Sequence, residues 1–230
     1  MYTLIHYPLC PFSRSIRLLA REMKIDPLLV EEHPHTRDPE FFEINPAGTL
    51  PVMIIDDGPV LCGTYAISEY LSEVNPSGSD SQLNTGLFPG DVAVRAEARR
   101  LVDWFHVKFF NEVSICFLEE KLYKSTDPDG SPPDLNLLRA AHKNLKSHLR
   151  YIGTLSEQRN WLSGADLSFA DLAAAAQLSC LDYLGDVPWE ECEAARVWYA
   201  RLKSRPSFQN LLRDRIPGLI PSSIYTNLDF

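Results

Sequence analysis

Residues 10–14 read Cys-Pro-Phe-Ser-Arg, and they lie between a strand pattern at 3–7 and a helical pattern that begins near Ser13. A cysteine at the start of a helix faces unpaired backbone N–H groups and the positive end of the helix dipole, and both favour the thiolate. Pro11 suits the first helical turn, where its missing N–H costs nothing. The stretch therefore predicts a strand–turn–helix unit with Cys10 as a candidate nucleophile and Ser13 as a less favoured one.

Strand and helix patterns alternate through the first 75 residues. Predicted strands lie at 3–7, 28–31, 51–56 and 60–62, and predicted helices at 13–23, 38–44 and 65–73. The dipeptide Asp57-Gly58 predicts the hairpin between the last two strands. The order β-α-β-α-β-β-α is that of a thioredoxin-like α/β domain, which we place at residues 1–76.

The rest of the chain has a different composition. Residues 77–92 read as a linker rich in Ser, Gly, Asn and Pro, and residues 93–230 read as an all-α domain. Its predicted helices lie at 91–123, 135–155, 169–184, 190–203 and 206–213. The tail at 216–230 has two prolines and no helical period, yet it is apolar, so we expect its first half to pack on the helical domain.

Charge and cysteine content exclude several classes of protein. A net charge of −9 argues against non-specific nucleic-acid binding. Five widely spaced cysteines without a CxxC pair suit a reducing cytoplasm, and the six histidines form no metal-ligand pattern, so we assign no metal. Because no apolar run approaches the ~18 residues of a membrane span, we expect no direct membrane insertion.

Four motifs occur in the order in which the glutathione transferase superfamily has them. They are CPFSR at 10–14, NPAGTLPVM at 45–53, GADLSFAD at 164–171 and RPSFQNLL at 205–212. The first is similar to the start of the cysteine-bearing omega and beta classes. This resemblance covers nearly the whole chain and implies the cytosolic transferase fold, a thioredoxin-like N-terminal domain followed by an all-α domain.

The second and third motifs imply local structure. The family resemblance implies that Pro51 is cis and that the backbone at Leu50 meets the cysteinyl backbone of glutathione. In the third motif, the Ser168 hydroxyl and the Asp171 carboxylate are placed to form a capping box at the start of the next helix.

One position departs from the family pattern. Most glutathione-binding members have Glu/Gln-Ser where this chain has Gly63-Thr64. Thr64 keeps a hydroxyl at a helix N-terminus, so an anion can still dock there. Gly63 removes the partner of the ligand ammonium, a loss of roughly 1.5–3 kcal/mol, or on the order of 10- to 150-fold in affinity. We therefore expect a vestigial glutathione site at Leu50, Pro51 and Thr64.

The Gly-Thr pair, the start YPLCPFSR and the apolar acidic tail are together similar to one branch of the superfamily, whose members bind the division GTPase FtsZ. That resemblance implies a non-catalytic homodimer without cofactor, cytoplasmic and at the division site, which curves and stabilises FtsZ filaments during constriction. The alternative is a glutathione-dependent thiol transferase or dehydroascorbate reductase that uses Cys10. A third reading is a protein that binds another small anion through Thr64.

Two regions are candidate partner surfaces. Arg139, Lys143, Lys146 and Arg150 recur at helical spacing and form a basic stripe, which suits an acidic partner such as FtsZ. The tail end presents aromatic, apolar and acidic groups, namely Tyr225, Leu228, Asp229 and Phe230.

Overall fold

The computed structural model describes residues 1–35, 38–74, 84–127 and 130–228. The N-terminal part is a four-stranded sheet with the order β2-β1-β3-β4, in which β1 and β2 are parallel and the other pairs antiparallel. Its strands are β1 (Tyr2–His6), β2 (Leu28–Glu31), β3 (Val52–Ile55) and β4 (Val60–Cys62). Its helices are α1 (Pro11–Glu22), α2 (Pro39–Ile44) and α3 (Thr64–Val74). The predicted thioredoxin-like order is confirmed.

The segment after α3 contains a short hairpin, β5 (Asn84–Thr85) and β6 (Phe88–Pro89), before the first long helix begins. Phe88 is almost fully buried, and the Arg99 guanidinium lies over its ring, with Cζ 4.6 Å from the ring centroid. Residues 77–83 of the predicted linker lie outside the described residues, so the boundaries 77 and 92 stay a prediction.

The C-terminal part is helical. Residues 92–126 form a continuous helix made of α4 (Val92–Asp103), a π segment (Trp104–Ser114), α5 (Ile115–Phe117), a second π segment (Leu118–Tyr123) and α6 (Lys124–Thr126). It is followed by α7 (Leu135–Gln158), α8 (Phe169–Leu184), a 3₁₀ turn (Trp189–Glu191), α9 (Glu193–Lys203) and α10 (Gln209–Leu212). Asp91 caps the long helix by accepting from the N–H of Val94 at 2.9 Å.

Apolar side chains from both parts of the molecule pack into two buried clusters. Ala173–Ala176 on α8 are fully buried, and α8 lies against α1 of the N-terminal part. Asp171 fixes the start of α8, because its carboxylate accepts from the N–H and the hydroxyl of Ser168, from the N–H of Leu162 and from the indole of Trp198. The small side chains of α8 let the two parts of the molecule approach closely.

Polar groups also join the two parts. The Arg14 guanidinium of α1 is fully buried and donates to the Ser179 hydroxyl on α8 at 2.8 Å. Glu22 at the end of α1 accepts from Nε and Nη2 of Arg205, each at 2.7 Å. No helix in the described part of the chain has the length and apolar character needed to cross a bilayer.

Candidate functional site

Cys10 lies where the sequence predicts it. It is the N-cap residue of α1 with Pro11 after it, at the end of the loop that follows β1. The side chain is buried, however, at 6% exposure, among Leu9, Phe41 and Leu50. Burial raises the pKa of the Cys10 thiol and outweighs the hydrogen bonds from Ser13 and Phe12 and the charge of Arg14. The thiol is therefore held in its neutral form, which is a poor nucleophile.

Ser13, the less favoured candidate, has a structural position. It is fully buried, and its hydroxyl oxygen accepts from the backbone N–H of Tyr7 at 3.3 Å. That bond fixes the loop between β1 and α1.

The predicted vestigial glutathione site is formed in part. The Leu50–Pro51 peptide is cis, as the resemblance implies, and the Pro51 carbonyl accepts from the N–H of Gly63 at 2.9 Å. Gly63 has φ +85°, a left-handed conformation that favours glycine, and a Cβ added there would meet no heavy atom of the described residues within 4 Å. The place of the family acid or amide is therefore open space beside the start of α3.

Thr64 has a partner from the helical part. Its hydroxyl lies 3.3 Å from Nδ1 of His106, on the π segment that follows α4. Burial lowers the pKa of His106 to about 3, so this imidazole is neutral at physiological pH. The Phe12 ring lies 5.4 Å from the His106 ring and 4.6 Å from the Phe110 ring. An aromatic cluster thus stands beside the hydroxyl that would receive an anion.

This cluster was not predicted from the sequence. Thr64 and His106 are 42 residues apart, and the π hydrogen bonding of the segment that carries His106 and Phe110 is not encoded in a 3.6-residue period. Among the described residues, no group of three or more His, Cys, Asp and Glu side chains is arranged to hold a metal ion.

The basic stripe lies along α7, and one of its four cations is paired with an acidic side chain. Arg139, Lys143 and Arg150 are exposed, whereas the Lys146 ammonium is paired with the Glu191 carboxylate at 2.5 Å. That pairing lowers the pKa of Glu191 and neutralises part of the stripe. Three of the four predicted cations are thus accessible to a partner.

The tail is anchored, and this corrects one expectation. Tyr225 is fully buried, donates to the Leu211 carbonyl at 2.6 Å and accepts from the Arg14 guanidinium at 3.0 Å. It is therefore enclosed by the protein's own groups and is not presented to a partner as predicted. Leu228 is 43% exposed and accessible. Asp229 and Phe230 lie outside the described residues.

The sequence reasoning also missed the ion pairs behind that anchor. Asp214 accepts two hydrogen bonds from Arg17 at 2.8 Å and one from Arg14 at 3.3 Å. Arg14 belongs to the CPFSR motif, so the motif that suggested a nucleophile also supplies the cation that holds the tail.

Comparison with known proteins agrees with this geometry. The family model described as "Glutathione S-transferase, N-terminal domain" matches residues 9–74. The chain is 43% identical over 231 residues to FtsZ-localized protein A of Caulobacter vibrioides, covering 99% of this chain and 98% of that protein. It is 31% identical to glutathione S-transferase 2 of Saccharomyces cerevisiae, covering 78% and 73%.

A solved structure extends the likeness to three dimensions. The crystal structure of a glutathione S-transferase from Rhodospirillum rubrum F11 superposes with a TM-score of 0.94 at 43% identity, covering 100% of both chains. The strand order, the cis proline and this full-length similarity together establish the family. The chain belongs to the glutathione transferase superfamily.

Proposed function

We propose that this protein associates with FtsZ at the division site, and that it binds, curves and stabilises FtsZ filaments without catalysis. The observation that carries the proposal is the 43% identity to FtsZ-localized protein A, which spans 99% of this chain. The burial of Cys10 and the raised pKa of its thiol disfavour the alternative of a thiol transferase. The aromatic cluster beside Thr64 and the open space at Gly63 weaken the case for ordinary glutathione binding.

The protein would act as a homodimer. A dimer presents each contact surface twice, so it can bridge subunits of one filament or two neighbouring filaments. Exposed apolar side chains on α3 and on the first π segment support self-association, with Tyr65 at 60% and Val107 at 49% exposure. Sedimentation equilibrium tests this proposal, and the expected mass is twice the 26.0 kDa of one chain.

The experiment that tests filament binding is co-sedimentation with GTP-assembled FtsZ, followed by electron microscopy of the filaments. The full chain is expected to pellet with FtsZ and to curve its filaments. Leu228→Lys is expected to weaken binding without unfolding the protein, because Leu228 is exposed. Asp229→Lys is expected to weaken binding as well, because it reverses the charge at the end of the tail. Val197→Lys is the matched control, since Val197 is a 51% exposed apolar residue on α9, outside the tail.

A wild-type chain that stays in the supernatant would overturn the proposal. If the wild type pellets and the two tail variants pellet equally well, filament binding stands and the tail is not a contact.

A further inference from the structure

A cleft lies close to the predicted thiol site, and Tyr7 in its lining belongs to the same buried cluster as Cys10. The cleft, of about 1040 Å³, opens between the segment at 31–35, the end of the second π segment and the tail at 216–218. Taken over the described residues, its lining leaves out Cys10, Leu50 and Thr64. Its volume matches the pockets that hold drug-sized ligands.

Aromatic rings form one wall of the cleft. The Tyr7 ring lies 5.0 Å from the His33 ring, and the Tyr123 ring lies 4.3 Å from the His35 ring, both edge to face. The Tyr7 and Tyr123 rings are 6.4 Å apart and tilted toward one another. Such a set of π faces attracts a cation that comes within about 6 Å of the ring centres.

The rim of the cleft is acidic. Glu31, Glu32 and Glu119 line it, and in the described part of the chain neither Glu31 nor Glu32 forms an ion pair with a lysine or arginine. Lys124 also lines the cleft, but its ammonium donates to the Glu120 carboxylate at 2.6 Å. Burial and the neighbouring His35 lower the pKa of His33, so this ring adds no positive charge at neutral pH.

The Tyr7 hydroxyl is open to a ligand in the cleft. Tyr7 is only 8% exposed, it lines the cleft, and its hydroxyl has no hydrogen-bond partner among the described residues. The hydroxyl oxygen is not among the buried unpaired atoms, so it reaches solvent and can pair with a polar group that enters the cleft. Burial, the charge of Glu31 and the neighbouring Tyr183 raise the pKa of Tyr7 to about 12, which keeps the hydroxyl protonated and available to a polar ligand.

We propose that this cleft binds a guanidinium cation, either on a small molecule or as an arginine side chain of a protein segment. The planar guanidinium stacks on aromatic faces and offers five donors in a fixed plane. Here the rings of Tyr7 and Tyr123 receive its face, the Tyr7 hydroxyl accepts one N–H, and the carboxylates of Glu31 and Glu119 balance its charge. The inference does not depend on the proposed association with FtsZ.

Calorimetric titration of the full-length protein tests the proposal. The probes are N-acetyl-arginine amide, a pentapeptide with one central arginine, and N-acetyl-citrulline amide, which has nearly the same shape without the charge. We expect saturable binding of at least one arginine probe, no detectable binding of the citrulline amide, and weaker binding at higher salt. Binding of the peptide alone identifies a protein segment as the source of the cation, and binding of both probes identifies a small cation as sufficient.

Three variants locate the site. Glu119→Gln is expected to lower the affinity for the arginine probe about two- to fivefold. The effect is modest because the Glu119 carboxylate is partly exposed. Tyr7→Phe keeps the ring and removes the hydroxyl, so it reports the hydrogen bond alone. Glu157→Gln is the matched control, since Glu157 is exposed on α7 and does not line the cleft, and it should leave the affinity unchanged.

Melting curves of the three variants check that the fold is intact. Lack of binding by either arginine probe, equal binding of the citrulline amide, or an affinity that neither Glu119→Gln nor Tyr7→Phe changes would each overturn the proposal.

Discussion

At the scale of single residues, Cys10 shows how two physical effects of opposite sign meet at one atom. Its place at the N-terminus of α1 favours a thiolate through the helix dipole and backbone N–H groups. Its burial at 6% exposure disfavours any charge there, and the pKa of the thiol is raised as a result. The thiol therefore keeps the position of a nucleophile but lacks its ionisation.

The rate of alkylation measures how reactive the Cys10 thiol is. In the native protein at pH 7.5, iodoacetamide is expected to label Cys62 well before Cys10, because Cys62 is exposed on β4 whereas Cys10 is buried. Burial raises the pKa of both thiols, so access decides the order. Peptide mass spectrometry after timed quenching gives both rates in one sample. Labelling in urea serves as the control, since unfolding removes the burial and should bring the two rates together. If Cys10 reacts first in the native protein, its thiolate is reactive, and this result would favour the alternative of a thiol transferase that uses Cys10.

At the scale of elements, the tail is held by buried polar groups. Tyr225 joins Arg14 of α1 to the carbonyl of Leu211 on α10, and the Lys203 ammonium donates to the Ile224 carbonyl at 2.8 Å. The apolar composition of the tail correctly predicted that it packs on the protein. The packing extends beyond the first half of the tail to Tyr225. The sequence does not predict this extension, because Arg14 lies beside Tyr225 only in the folded chain.

Tyr225→Phe isolates the contribution of this anchor. We expect a loss of about 1–3 kcal/mol in the free energy of unfolding, because two buried hydrogen bonds are lost. The Leu211 carbonyl keeps only backbone donors, such as the N–H of Asp214, and Arg14 has one acceptor fewer. Urea denaturation gives the magnitude, and hydrogen exchange at residues 222–228 should show faster opening of the tail. Tyr70→Phe is the control, because the Tyr70 hydroxyl has no hydrogen bond in the described structure. Equal stability of the two variants would show that the hydroxyl of Tyr225 contributes nothing.

The junction between α1 and the segment after α9 predicts a pH dependence. Burial raises the pKa of the Glu22 carboxyl, but hydrogen bonds from Arg205 and Ser207 and the charge of Arg205 outweigh it, and the pKa lies below the ordinary value of 4.5. The ionised carboxylate therefore stabilises the fold above pH 4.5, and this stabilisation is lost as the pH falls through the lowered pKa.

Glu22→Gln tests that dependence. At pH 7 we expect the variant to be less stable than the wild type by roughly 1 kcal/mol, discounted because Arg205 is partly exposed. The difference should shrink below pH 4.5, since the wild-type carboxyl then becomes neutral as well. Urea unfolding at a series of pH values measures both quantities. A difference that is constant from pH 7 to pH 3 would contradict the assignment of this carboxyl.

The sequence predicts some elements of secondary structure more accurately than others. The strands β2 and β4 and the helix α8 have their predicted bounds, because alternation, turn residues and caps are local signals. The two π segments within residues 92–126 were predicted as ordinary helix, since apolar periodicity does not report the hydrogen-bonding register. Two contacts, that of Thr64 with His106 and that of Arg14 with Tyr225, join distant parts of the chain. No local sequence pattern predicts such contacts.

At the scale of the whole molecule, charge distribution decides which face suits an acidic partner. The chain has a net charge of −9, yet Arg139, Lys143 and Arg150 are exposed along one face of α7. Lys146 is excluded from this set by its ion pair with Glu191. A local positive face on an acidic protein orients it toward an acidic filament while the remaining surface is repelled.

Reversing two of these charges tests the face. The double variant Arg139→Glu, Lys143→Glu is expected to lower co-sedimentation with FtsZ about two- to tenfold at low salt, because each exposed pair contributes modestly and a dimer repeats the loss. The effect should diminish as salt is raised. Arg213→Glu is the matched control, since Arg213 is an exposed cation outside α7 and should leave pelleting unchanged. If both variants pellet as the wild type does at low salt, the basic face of α7 has no part in binding, and the exposed end of the tail is then the contact to test alone.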